Sequence, residues 1–212
     1  MNGPPGLLDG YRRFRATRYL DEASRYAGLA NGQSPRTMVI ACADSRVDPA
    51  TIFSVAPGEL FVVRNVANLV PPCVDPRNGL HGTSAALEFA VESLHVEDIV
   101  VLGHGGCGGV AAAMAAADNR PVGKFIEPWV RLLNETRDSV LADDALSSEA
   151  ERQTMLEHRG IRQSLDNLKT FPFIADAIAA GRLALHGAWF AIGLGELHWL
   201  NPETGRFDTV DG

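Results

Sequence analysis

Residues 99–117 run for 19 positions without Asp, Glu, Lys or Arg. That is long enough for a membrane-spanning helix, and what interrupts the run decides the fold. Gly103, Gly105, Gly106, Gly108 and Gly109 cluster in its middle; the half before them is β-branched and the half after is rich in alanine. This is the pattern of a strand, a tight loop and a buried helix, so no membrane span is expected. Two further apolar runs, 37–43 and 60–64, are continuous rather than alternating, as parallel strands covered on both faces are. Between 60–64 and 99–102 lies 83–94, with Ala86, Leu87, Ala90, Val91 and Leu94 on one helical side. The alternation predicts an α/β fold, a Rossmann-like, mostly parallel β-sheet flanked by helices.

The rest of the chain fits around that sheet. Residues 7–30 place apolar side chains at near-helical spacing between charged ones, which predicts one or two amphipathic helices; 1–32 forms an N-terminal helical arm, either packed on its own domain or reaching a partner. An alanine-rich helix follows Gly109 to Asp118. Helices are expected over 125–140, with Trp129, Leu132, Leu133 and Val140 inward, and over 147–168. Residues 183–192 read as a strand, and 196–210 as a C-terminal edge strand or hairpin turned at Pro202-Glu203-Thr204-Gly205. The chain has 212 residues and is 46% hydrophobic, enough for one core, so 1–212 is read as a single domain.

A net charge of −7 with no basic block excludes nucleic acid and anionic membrane surfaces as main partners. Three cysteines are a poor disulfide framework and suit a reducing compartment, so a cytoplasmic location is expected, with no secretory signal in residues 1–10.

The chemistry sits at the ends of two predicted strands. Cys42-Ala-Asp44-Ser-Arg46 closes the first, and His104-Gly-Gly-Cys107 closes the third, 62 residues later. Loops at the carboxyl ends of strands form the ligand crevice of an open α/β sheet, and neighbouring strands can join them. Two thiolates and an imidazole suit zinc, and three protein ligands leave a fourth position open, as catalytic sites do. Any one of the three alone is better explained as a packed or tolerated side chain; together they point to a metal. Asp44 and Arg46, two apart on an extended segment, face the same way, so the guanidinium can hold the carboxylate in a bidentate pair. Paired, Asp44 orients a water at the metal; freed, it can become the fourth ligand. Residues 103–108 also match GxGxxG, but the acidic-ended second strand of a dinucleotide site is missing, and that reading leaves Cys42, Asp44 and Arg46 unused.

With these motifs the chain resembles the β-class carbonic anhydrases, whose CxDxR and HxxC signatures stand here as Cys42, Asp44, Arg46 and His104, Cys107. The likeness runs from about Gln33 to Phe190. The resemblance implies one Zn2+ per subunit on Cys42, His104 and Cys107, and reversible hydration of carbon dioxide to bicarbonate by a zinc-bound hydroxide that Asp44 and Arg46 orient. It also implies a homodimer or higher even oligomer, with Gln33, Phe61 and Phe89 reaching the partner's site and Val66 lining the substrate pocket. One form of the family carries a regulatory bicarbonate site of Trp, Arg and Tyr; here those positions are Val39, Arg64 and Phe190, so no such switch is expected. Gln33, nine residues before Cys42, matches the plant-type open form, whereas that type's pocket tyrosine is Phe89 here.

Two anionic thiolates weaken the Lewis acidity of zinc, so activity is expected to favour alkaline pH. Of six histidines, His81 is the candidate for a proton shuttle by position, but the plainer reading of a surface loop histidine is the better one. Cys73 lies outside both motifs, and His186 and His198 are expected to be packed side chains. The alternatives are a non-catalytic zinc protein with Asp44 as permanent fourth ligand, and a hydrolase of a similar substrate such as carbon disulfide.

Overall fold

The structure, a computed structural model, describes residues 3–75, 77, 81–118 and 120–211. Its centre is a six-stranded sheet: β1 (Thr37–Cys42), β2 (Leu60–Asn65), β3 (Asp98–His104), β4 (Ala184–Ala191), β5 (Glu196–Leu200) and β6 (Phe207–Thr209), in the order β2-β1-β3-β4-β5-β6. The first four are parallel and the last two run antiparallel, so the sheet is mostly parallel with a C-terminal hairpin at one edge, as expected. The hairpin turn is built on Asn201, whose side-chain oxygen accepts from the N–H groups of Glu203 and Thr204.

β1 and β3 are interior strands and almost wholly buried. One face of the sheet carries Met38, Ile40, Ile99 and Val101. It packs under α5 (Gly82–Glu88), α9 (Glu149–Leu168) and α10 (Pro172–Ala179) through Leu87, Ile161, Leu165, Leu168 and Ile174. The opposite face carries Val39, Ala41, Val100 and Leu102 against Ile52 and Phe53 around the short α4 (Pro49–Ile52). β2 departs from the expectation of a strand covered on both faces: its side chains alternate between half-buried and exposed. The cause is position, since β2 is the sheet's first edge and has a neighbour only on the β1 side.

Three helical segments form the arm, α1 (Pro5–Ala16), α2 (Arg18–Asp21) and α3 (Ala23–Leu29), and none of their residues is buried. Phe14, Tyr19 and Tyr26 pack on one another at 5.2–5.9 Å between ring centroids. Arg25 meets Glu59 on the body at 3.2 Å. The alanine-rich segment is α6 (Gly108–Ala117).

Two expected helices are subdivided. Residues 125–140 form α7 (Ile126–Val130), a 3-10 turn at Arg131–Leu133 and α8 (Asn134–Leu141); Leu133 and Val140 are buried and Trp129 and Leu132 half-buried, so the inward face is kept. Residues 83–94 divide at Glu88, after which Phe89–Ser93 widens to a π-helical turn. Phe89, at the start of that turn, is exposed and tilted against Phe61 of β2 at 5.8 Å between ring centroids. α9 begins on a capping box in which Ser148 and Glu151 satisfy each other's backbone N–H groups.

Candidate metal centre

Cys42 ends β1 and His104 ends β3, and the two strands pair in parallel with Ala41 opposite Leu102. Cys107 lies three residues past His104 as the N-cap of α6, with extended backbone angles. Gly106 makes the turn between them at φ +66°, a conformation that costs glycine no steric strain. Gly109 lets α6 approach the loop after β2: a Cβ there would sit 2.6 Å from Val66 Cγ1 and 2.9 Å from Ala67 Cβ.

The ligand atoms of Cys42, His104 and Cys107 all lie within 4.8 Å of one another, and all three residues are buried. The two sulfurs are 3.8 Å apart. Two sulfurs each about 2.3 Å from a tetrahedral zinc ion would be separated by about 3.8 Å. His104 Nδ1 meets the Gly105 carbonyl at 3.0 Å, which fixes the proton there and leaves the Nε2 lone pair free. Nε2 is buried and has no hydrogen-bond partner. A buried nitrogen without a partner is costly, and a cation among these donors removes the cost.

The acidity of the pair tells the same story. The hydrogen bond from Cys107, assisted by His104 and the N–H groups of Asp44 and Ala67, pulls Cys42 down to about 4 against the effect of burial. Cys107 is pushed far up, by its bond with Cys42 and by burial, despite the N–H groups of Val110 and Gly109 at the start of α6. Two thiolates this close cannot both ionise alone, and a dication resolves the conflict. At His104 burial works downward but is outweighed by Cys42, the Gly105 carbonyl and Asp44, so the ring is raised.

Asp44 and Arg46 form the expected pair. Asp44 Oδ1 accepts from Arg46 N–H and Nε, both at 2.9 Å, and Oδ2 accepts from the guanidinium at 2.7 Å. The guanidinium and the Arg46 N–H hold this carboxyl well below the usual carboxylate range. Arg46 also reaches the Gly106 carbonyl at 3.2 Å, which ties the β1 loop to the β3 loop. Asp44 Oδ2 stands 3.9 Å from His104 Nε2, beside the donor cluster and engaged by Arg46.

The other expected site residues spread outward. Val66 follows β2 and its carbonyl accepts from Trp129 Nε1 at 2.8 Å. Phe61 and Phe89 meet at the β2 edge, and Gln33, just before β1, is exposed. His81 stands at the N-cap position of α5 without a side-chain capping bond and is not one of the groups within 4.8 Å. Val39 is fully buried under the sheet face, and Phe190 is half-buried. His186 is held by Asp98 at 2.8 Å, and His198 sits against Trp189, as packed side chains do. Cys73 is exposed.

Arg64 enters the sequence reading only as the arginine of the regulatory site, and Glu157 escaped it. Arg64 Nε donates to the Cys42 carbonyl at 2.9 Å, and its guanidinium also reaches the Asp44 and Val47 carbonyls, clamping the loop that carries the pair. Glu157 of α9 accepts from Cys107 N–H at 2.9 Å. Its signal was available: a carboxylate on the apolar stripe of a helix, next to Leu156 and four residues before Ile161.

Residues 37–197 match the family model for carbonic anhydrase. β-carbonic anhydrase 5 (chloroplastic) of Arabidopsis thaliana is 39% identical over 177 residues, covering 84% of this chain and 58% of that protein. β-carbonic anhydrase 3 of the same plant is 37% identical, covering 87% of this chain and 71% of that protein. This chain thus spans under two thirds of the chloroplastic relative's length. Among solved structures, the β-carbonic anhydrase CcaA superposes with a TM-score of 0.90 at 29% identity, over 97% of this chain and 91% of that one. A tetrameric β-carbonic anhydrase of Sordaria macrospora superposes at 0.82 with 32% identity, over 92% and 95%.

Proposed function

The chain belongs to the β-class carbonic anhydrases, and from that premise we propose that it is a zinc enzyme hydrating carbon dioxide reversibly to bicarbonate and a proton. The observation that carries the reading is the donor cluster itself: two sulfurs 3.8 Å apart and an unpartnered imidazole Nε2, all buried. Cys42, His104 and Cys107 hold one Zn2+, which supplies the Lewis acidity that brings water into the neutral pKa range.

The chain's own residues do the rest. Asp44 accepts a hydrogen bond from the attacking water and aims a lone pair at the carbon of CO2. Arg46 keeps Asp44 ionised and turned away from a ligand role; the two bonds to Oδ1 and the one to Oδ2 support this. Val66, with Phe61 and Phe89 reaching in from the partner subunit, offers the apolar wall an uncharged linear substrate needs, and Gln33 of the partner subunit offers a polar contact at its rim. His81 carries the released proton toward solvent.

The enzyme works as a homodimer or a higher even oligomer. Support comes from the arm, where Leu7, Tyr11 and Leu20 are exposed although no arm residue is buried. It comes also from the β2 edge, where Val62 and Phe89 are exposed. Apolar surface of this kind marks association. A cytoplasmic location belongs to the same reading, with Cys42, Cys73 and Cys107 outside any disulfide.

Stopped-flow CO2 hydration with metal analysis tests the proposal. Wild-type protein should contain about one zinc per chain and be active, and Cys107→Ser should lose both. Activity independent of zinc, or a loaded protein whose fourth ligand is a carboxylate and which does not hydrate CO2, would overturn it.

A further inference from the structure

Glu157 lies in the middle of α9 and is 4% exposed. A carboxylate is costly to bury unless its lone pairs are filled. Three N–H donors fill them: Cys107 N–H at 2.9 Å and Gln153 Nε2 at 3.2 Å on Oε1, and Trp189 Nε1 at 3.1 Å on Oε2. None of the three donors carries a formal positive charge. Through Cys107 N–H, Glu157 touches one residue of the Cys42, His104 and Cys107 cluster.

The contact also fixes geometry. As the N-cap of α6, Cys107 has an N–H outside the helical ladder, and Glu157 occupies it. One helical turn earlier, Gln153 reaches the Cys107 carbonyl at 3.5 Å, so α9 brackets this residue from both sides of its Cα. Trp189 pairs with Gly103 in the β3–β4 register and ties the same carboxylate to the sheet. The cavity that His104, Cys107 and Glu157 line measures about 10 Å³, room for one water at most.

We propose that Glu157 is a positioning residue for the metal: its hydrogen bond sets the Cys107 backbone, and its carboxylate adds negative charge beside the three ligands that would hold a dication. The inference rests on the zinc reading above. Groups that hydrogen-bond a metal-ligating residue typically contribute about 10- to 100-fold in affinity.

The test measures zinc affinity by competition with a chromophoric chelator, and the thiolate-to-metal bands of the cobalt-substituted protein. Wild type, Glu157→Gln, Glu157→Asp and Cys107→Ser are compared. Glu157→Gln should weaken zinc binding about 10- to 100-fold and shift the cobalt bands, and Glu157→Asp, which keeps the charge, should recover part of both. Wild-type affinity and spectrum in Glu157→Gln, or an Asp variant no better than the Gln one, would overturn the proposal. Should Glu157→Gln fail to fold, Trp189→Phe takes its place: it removes the Oε2 donor but keeps the charge, and should weaken zinc by up to about tenfold. Affinity unchanged in Trp189→Phe would overturn the proposal by that route. If wild type binds zinc no better than Cys107→Ser, the zinc reading itself falls and takes the inference with it.

Discussion

The Asp44 carboxylate receives its three hydrogen bonds from a single neighbour, so Arg46 is the residue on which the open metal position turns. A lysine in its place is a point charge and cannot bond both carboxylate oxygens in parallel. Arg46→Lys should therefore retain zinc and lose about 10- to 100-fold in CO2 hydration; metal analysis beside stopped-flow rates checks this, and full activity would remove the orienting role. His158 predicts a pH effect on stability. Burial, with the charges of Arg162 and His198, lowers it to about 4, and it stacks on Phe207 at 4.4 Å between ring centroids. The fold keeps this ring neutral over a range where the unfolded chain, with a pKa of about 6.5, takes a proton. Stability should thus fall as pH drops from about 6.5 toward 4 and level off below. Urea unfolding at pH 7 and 5 should give a smaller drop for His158→Phe than for wild type, and equal drops would contradict it. At this scale the sequence was informative where chemistry demands particular residues at fixed spacing, as with Cys42, Asp44, Arg46, His104 and Cys107. It was less so for Arg64 and Glu157, which act through backbone groups 22 and 50 residues away; nothing in their local spacing names those partners.

Among the elements, α6 is the most exacting, because it carries Cys107 on one end and rests on Ala67 beneath. Gly109→Ala puts a methyl 2.6 Å from Val66 Cγ1, whereas Gly108→Ala meets nothing within 4 Å. The first should cost about 1–3 kcal/mol and weaken zinc binding by displacing Cys107. The second should leave both nearly unchanged. Urea unfolding and chelator competition on the two variants distinguish them; equal effects would mean that the close approach is not what constrains the helix. The strands were legible because continuous apolar runs have few other uses in a chain this size. α10 was not, since Pro172 followed by a short apolar run lacks a polar face that would mark a helix. The π-helical turn at Phe89–Ser93 was likewise invisible, because side-chain periodicity does not register one extra backbone residue per turn.

For the molecule as a whole, sequence alternation gave a mostly parallel sheet but not the order of its strands, and so could not tell that β2 is an edge. Strand order depends on how crossovers pack, which is a property of the assembled layers. The arm is the corresponding gap: an amphipathic pattern says that a face is covered, not by which chain. Removing residues 1–30 should lower the oligomeric state by sedimentation velocity, and an unchanged state would return the arm to its own domain. The open edge of β2 has a kinetic consequence. Phe61 and Phe89 stand at that rim, so on the dimer reading a pocket is complete only while two copies are together. Turnover per bound metal would then depend on dilution: constant at high protein concentration, and declining once the enzyme is diluted below the dissociation constant of its own dimer.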